Sequence, residues 1–273
     1  LEFRRVLFRS KKFLTVALAG VLAASMLFTG CSKKAESKVP DKLIVGTNAE
    51  FPPFEYMNDK KQPEGFDIAM IKEIGKRMGK KVEIKNMEFK SLIGAMESDS
   101  INAIIAGMTK TEKREKAVDF SDSYYTTNQA IILKKDSKIT KLAQLDGKKI
   151  GVQEGTTGDL ISSGDKFGDG KKAKVLVKGA KVKRFKKGVD AVMDLKNGSV
   201  DAVVIDELTA NEFVKKNAKK LKIVIDSAGS EYYCIALTKG NTAYKEEVNK
   251  QIKAIKEDGT YDKLKAKYID SKN

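Results

Sequence analysis

The chain predicts an α/β fold of two similar lobes, each a mostly parallel sheet flanked by helices, joined by a two-stranded hinge. Three observations carry this. Short apolar runs alternate with amphipathic segments of helical period, the pattern of βαβ units. That pattern runs from residue 43 to 106 and starts afresh at residue 149. Polar, extended stretches at 126–130 and 227–231 then read as two crossings between the halves.

The elements follow in order. Residues 43–46 read as a strand, and Phe66, Met70, Ile71, Ile74 and Met78 fall on one helical face. Residues 82–84 make a second strand, 91–97 a short helix and 101–106 a third strand. In the second half, 149–152 is a strand, Asp159 leads into a helix, 182–185 is a strand, 188–196 a helix and 200–205 a strand. The halves show an internal repeat: Ile93, Met96 and residues 101–105 lie over Val192, Leu195 and residues 200–204 with the apolar positions matched. On this register Gly107 stands opposite Asp206. A closing helix carrying Tyr261, Leu264 and Tyr268 packs back on the first half. Residues 41–127 and 232–273 are therefore expected to form lobe 1, and 128–231 lobe 2, with the crossings as a hinge over a cleft.

Composition narrows the chemistry. The 273 residues contain no histidine, which removes the commonest general base and the commonest metal ligand. No metal and no cofactor is expected. The two cysteines are Cys31 and Cys234, and the latter sits in an apolar run and reads as a buried small residue. The formal net charge is +16, to which residues 1–30 contribute five basic residues against Glu2. The remaining lysines are mixed with acids along helices, without an aromatic-interleaved patch, so nucleic acid is not the expected partner.

The N-terminus has its own logic. Residues 1–10 read as an expression or assembly scar, 11–30 as a lipoprotein signal peptide and 31–40 as a polar tether. The apolar run 13–28 is short for a membrane span. Leu27-Phe28-Thr29-Gly30-Cys31 resembles a bacterial lipobox, with Phe28 where Leu is usual, and implies lipidation at Cys31. One lipid would hold the protein on the outer face of the cell membrane.

In open α/β sheets a ligand sits beyond the carboxyl ends of the strands. The loops there carry one guanidinium, Arg114; hydroxyls and free amides at Thr109, Thr156 and Thr157; one strand-end acid, Asp206; and apolar faces at Phe51 and Phe54. An arginine with hydroxyl and backbone donors fits a carboxylate. A lone acid across the cleft fits an ammonium, so the two ends describe the head of an α-amino acid. Each residue has a plainer reading. Arg114 could pair with Glu112 or Glu115 on a helix surface, Asp206 could cap a helix, and Phe51 and Phe54 could cover the core.

The chain resembles the extracellular solute-binding proteins of polar amino acid ABC transporters, a family 3 type with a periplasmic-binding-protein-like fold. The resemblance rests on residues 46–55, Gly65-Phe66-Asp67, Ala106-Gly107-Met108-Thr109 with Arg114, Asp119-Phe120-Ser121-Asp122, Gly155-Thr156-Thr157-Gly158, and Val200-Asp201-Ala202 with Asp206. It implies that Arg114 grips the ligand carboxylate with the amides of Thr109 and Thr157. The ammonium would go to Asp206, the Gly107 carbonyl and the Thr109 hydroxyl. Phe51 would stack on the ligand side chain, with Phe89 as a second wall. Asn48 stands where many members have Asp, Gly158 where some have a ligand-touching side chain, and Glu50 could read a cationic side chain. The implied partners are a free polar amino acid, basic or glutamine-like, and ABC permease subunits, with the protein a monomer. The rivals are an enzyme on the same fold, a cyclohexadienyl dehydratase-like protein using Glu50 or Glu154 as general acid, and a sensory or adhesive surface module.

Overall fold

Runs of β-branched and apolar residues, interrupted by glycine and polar turns, build two sheets of five strands each. The computed structural model describes residues 38–164, 166–167, 171–172, 177–225 and 230–270. The chain divides into the units Leu1–Glu36 and Ser37–Asn273, and all described residues belong to the second. The N-terminal scar, signal and lipobox, most of the tether, and residues 226–229 of the second crossing lie outside the described residues. Among the described residues, no helix is long and apolar enough to cross a membrane.

The first sheet begins with β1 (Lys42–Thr47), β2 (Lys81–Asn86), β3 (Ala103–Ile104) and β4 (Val118–Thr127). The second contains β5 (Gln129–Lys134), β6 (Lys149–Gln153), β7 (Lys181–Phe185), β8 (Ala202–Asp206) and β9 (Leu221–Ile225). β10 (Glu231–Thr238) returns to the first sheet. The spatial orders are β2-β1-β3-β10-β4 and β7-β6-β8-β5-β9. In each lobe three strands run parallel, and the remaining two join antiparallel because they come from the crossings. The chain passes from one sheet to the other at Asn128, between β4 and β5.

Helices cover the sheets: α1 (Phe66–Arg77), α2 (Leu92–Glu97), α3 (Glu112–Glu115), α4 (Thr157–Ser163), α5 (Gly188–Asn197), α6 (Glu207–Lys215), α7 (Thr242–Glu257) and α8 (Thr260–Tyr268). α1 buries Phe66, Met70, Ile71 and Ile74, the stripe expected from their spacing. Gly65, just before it, has φ +128°, and a Cβ there would lie 2.2 Å from the Phe54 carbonyl oxygen. Only glycine lets α1 start so close to that loop. The sequence pattern does not single out α6 or α7. α7 buries Tyr244, Val248, Ile252 and Ile255 against β4, a helical spacing diluted by the many lysines and glutamates between.

The internal repeat is visible in side-chain detail. The expected strand 101–106 has only Ala103–Ile104 in ladder pairing, because Asn102 inserts its amide at the strand entrance. Its Oδ1 accepts the Ile44 N–H at 2.9 Å and its Nδ2 donates to the Lys42 carbonyl at 2.9 Å. In the other lobe Asp201 Oδ2 accepts the Lys149 N–H at 2.8 Å. Asn102 and Asp201 occupy matched positions of the repeat, each tying the third strand to the first.

Aromatic rings hold the segment that carries Phe51. Phe54 is fully buried, with ring centroids of Phe51, Tyr125 and Tyr233 at 6.2, 5.0 and 5.1 Å. Such pairs add about 0.5–1.5 kcal/mol beyond their burial. Cys234 is a free, buried thiol pushed up to about 11 by burial.

Candidate functional site

The carboxyl ends of β1 and β3 in one lobe, and of β6 and β8 in the other, face each other across a cleft. Between them lies a small interlobe cavity. Of the ten ligand-binding residues named from the sequence, nine line it: Asn48, Phe51, Phe89, Gly107, Thr109, Arg114, Thr156, Thr157 and Asp206. Glu50 does not. It stands at the rim, where its Oε1 pairs with Lys187 Nζ at 2.7 Å. Glu55 and Gln153, which sequence reasoning gave no role, complete the polar lining.

Arg114 follows Thr111, whose hydroxyl caps α3 by accepting the Arg114 N–H at 3.2 Å. The turn sends the guanidinium inward to 9 % exposure. Nη1 donates to the Thr109 carbonyl at 2.5 Å and Nη2 to the Gly155 carbonyl of the other lobe at 3.0 Å. The guanidinium stacks over Phe89 at 5.3 Å. Glu115, its suggested surface partner, pairs instead with Lys110. Among the described residues Arg114 has no carboxylate in salt-bridge contact, so its remaining donors are open to an anion. Burial pulls its guanidinium down to about 10, against the opposing pull of Glu231 and Asp206.

Asp206 ends β8 and precedes α6 with extended backbone, yet its side chain makes no capping bond. It is 4 % exposed, and Oδ1 is buried without a hydrogen-bond partner. Burial first, then the charge of Glu231, pushes its carboxyl well above the usual carboxylate range, despite Tyr233 and Gln129 beside it. Glu55 is fully buried; among the described residues neither oxygen has a hydrogen bond of ordinary geometry, and the Asp67 carboxyl lies beside it. Burial, with Asp67 and Asp206 adding repulsion, raises it strongly. Asp67 stands behind, holding Gly107 in place: its Oδ2 accepts the Gly107 N–H at 2.8 Å and the Tyr124 hydroxyl at 2.7 Å. Burial lifts Asp67 to about 6 against those two bonds.

The remaining lining residues shape and close the space. Gly107 has φ +51°, and a Cβ there would press on the Phe51 ring at 3.1 Å. The Thr156 hydroxyl accepts the Asp159 N–H at 3.3 Å and donates to the Gln153 carbonyl at 2.8 Å, so it is committed to the start of α4. Asn48 Oδ1 accepts from Gln153 Nε2 of the other lobe at 2.8 Å. Gly158 lets α4 press on β8, since a Cβ would lie 2.9 Å from the Val204 carbonyl oxygen.

Ion pairs span the rim of the cleft. Lys90–Glu154, Lys186–Glu88 and Lys187–Glu50 join the lobes at 2.9, 2.6 and 2.7 Å. Exposed pairs contribute ~0–1 kcal/mol each and are screened by salt. Raising ionic strength from about 0.05 to about 0.5 M should therefore weaken closure, and with it ligand affinity, by less than about tenfold, as read by calorimetry at fixed pH. A larger loss would place the main closing force at the rim rather than in the cavity.

Glu55 was missed for a physical reason. An isolated glutamate after Phe54 carries the signature of a solvated loop, and only the aromatic cluster around Phe54 turns it inward. Gln153 and Glu231 likewise acquire their partners across the cleft, Asn48 and Thr157, only when the lobes meet.

Known proteins resemble this chain in sequence and fold. The chain is 33% identical over 262 residues to the arginine-binding extracellular protein ArtP of Bacillus subtilis (strain 168), covering 95% of this chain and 98% of that one. The structure of an ancestral arginine-binding protein bound to arginine is 42% identical, with TM-score 0.77, covering 85% of this chain and all of that one. That of the arginine-, lysine-, histidine-binding protein ArtJ from Geobacillus stearothermophilus is 36% identical, with TM-score 0.74, covering 84% of this chain and 95% of that one. These likenesses carry the two-lobed periplasmic-binding-protein fold. A family model matches residues 43–271, nearly the whole two-lobed body, and the chain belongs to the bacterial extracellular solute-binding proteins, family 3.

Proposed function

We propose that this chain is a lipid-anchored receptor that captures a free cationic L-amino acid between its lobes and delivers it to an ABC importer. The observation that carries the reading is the charge inventory of the cavity. Two buried carboxyls, Asp206 and Glu55, line it with unpartnered oxygens, and the guanidinium of Arg114 lines it with donors to spare. Burial keeps these carboxyls protonated without a guest, and a guest that brings positive charge lets them ionise against it. Arg114 takes the guest's carboxylate, Asp206 its α-ammonium, and Glu55 a cation on its side chain, between Phe51 and Phe89. Relatives named for binding arginine, and for binding arginine, lysine and histidine, support a basic guest; the choice over glutamine rests on the cavity's carboxyls alone.

The guest stabilises the closed form because only there do both lobes touch it. The population shift equals its differential affinity for the two forms. Bond-breaking chemistry is not part of the proposal. Glu50 and Glu154, the acids available to a dehydratase, are both held in rim ion pairs.

A thermal-shift panel tests this. Arginine, lysine or histidine at about a hundred times its Kd should add about 2.7 kcal/mol of stability, with glutamine smaller at equal concentration. Glu55→Gln should reduce the preference for basic over neutral amino acids by at least about tenfold, the loss of one charged hydrogen-bond partner. A larger shift with glutamine than with every basic amino acid would overturn the cationic assignment. Turnover of a bound carboxylate on incubation would overturn the receptor reading.

A further inference from the structure

β10 begins with Glu231, a residue that the amino-acid reading leaves without a role. Its Oε2 accepts the Thr109 hydroxyl at 2.6 Å and the Thr157 hydroxyl at 2.7 Å. Thr109 follows β3 in the first lobe, and Thr157 opens α4 in the second. Glu231 itself pairs with Thr127 at the end of β4, on the returning crossing. One oxygen at the crossing thus holds a hydroxyl from each side of the cleft.

A hydroxyl has a single proton, and a carboxylate only accepts. Both threonines therefore donate to Glu231 and turn their lone pairs elsewhere. Those of Thr157 are met by Gln129 Nε2 at 3.2 Å, and Gln129 pairs in register with Asp206. Those of Thr109 are left for the cavity that Thr109 lines. The hydrogen bonds run from Gln129 to Thr157 to Glu231, and from Thr109 back to Glu231. At the two ends stand open acceptors, Thr109 Oγ1 and the unpartnered Asp206 Oδ1. An ammonium is a group of three donors with no acceptor, and this arrangement suits it.

We infer that Glu231 is the positioning residue that turns the Thr109 hydroxyl into an acceptor for the guest's α-ammonium, and that it completes this arrangement as closure brings Thr157 onto it. The inference rests on the amino-acid reading above. Glu231 also places a second negative charge at the ammonium end: it adds to the burial that raises Asp206, and it offsets the burial that lowers Arg114. Without Glu231 the Thr109 hydroxyl is free to rotate its proton toward the ammonium, where a donor repels.

The test uses the full chain as wild type, Glu231→Ala and Glu231→Gln, titrated calorimetrically with arginine and with desamino-arginine, which keeps the carboxylate and guanidinium and lacks the ammonium. Glu231→Ala should weaken arginine by about 10- to 100-fold and the desamino compound by about fivefold at most, the share of the Thr157 bond between the lobes that both lose. Glu231→Gln, whose amide oxygen accepts the same hydroxyls, should recover most of the loss. If Glu231→Ala weakens both compounds equally, or neither, the positioning role is overturned while the receptor reading stands. Failure of the wild type to bind any amino acid would overturn both.

Discussion

Arg114→Ala should abolish ligand-induced stabilisation for every free amino acid at millimolar concentration. Arg114 is the buried group left with donors for a guest carboxylate, and two of its bonds are spent holding the fork in place on Thr109 and Gly155. Truncation leaves that carboxylate desolvated and unpaired, a loss of about 3–5 kcal/mol, or roughly two to four decades in Kd. It also removes one hydrogen bond between the lobes, so closure itself is weakened. Arg114→Lys should fall well short of rescue, because an ammonium has no planar fork for a carboxylate. Thermal shift and calorimetry read the result directly. A shift of wild-type size in Arg114→Ala would remove the anionic end of the site, and with it the whole placement of the guest.

Acidification should have the second largest effect, with opposite signs for the protein alone and for binding. Asp67 is lifted from 3.8 to about 6, and Glu55 and Asp206 are also raised, all chiefly by burial. The groups that face them are one another, Arg114, Glu231 and the hydroxyls of Tyr124 and Tyr233. An acid with a raised folded-state pKa holds its proton more tightly folded than unfolded. Its contribution to stability is complete below the ordinary carboxylate value and is lost as pH rises through the raised one. The protein without ligand should therefore gain stability from these groups as pH falls from about 8 to about 5. A cationic guest needs Glu55 and Asp206, the two that line the cavity, ionised, so its binding expels protons. Its affinity should fall on acidification by up to about tenfold per pH unit for each proton released. Calorimetry of arginine in buffers of different ionisation enthalpy counts those protons. A Kd independent of pH across this range would show that the buried acids do not meet the ligand's charge.

Much of this molecule is legible in one dimension. The stripe on α1, the apolar strands and the restart of the pattern at residue 149 are local properties, set by side-chain period and by what water excludes. The matched places of Asn102 and Asp201 were visible as a repeat before their shared ladder bonds were. Arg114, Thr109 and Asp206 stood out as candidates because they converge on one rim of strand ends, although Arg114 and Asp206 each also suit a plainer structural role.

Other features required the chain to meet itself. Glu50 and Glu55 are both loop glutamates in sequence, yet one pairs with Lys187 at the rim and the other is sealed under aromatic rings. Thr156 and Thr157 are neighbours with the same side chain, and only the cap geometry commits the first to its helix and frees the second for Glu231. The amino-acid order determined which segments fold and which ends carry charge, because burial and periodicity act over a few residues. Tertiary structure alone decided which carboxyls lose their water, because that depends on groups more than a hundred positions apart closing on the same small space.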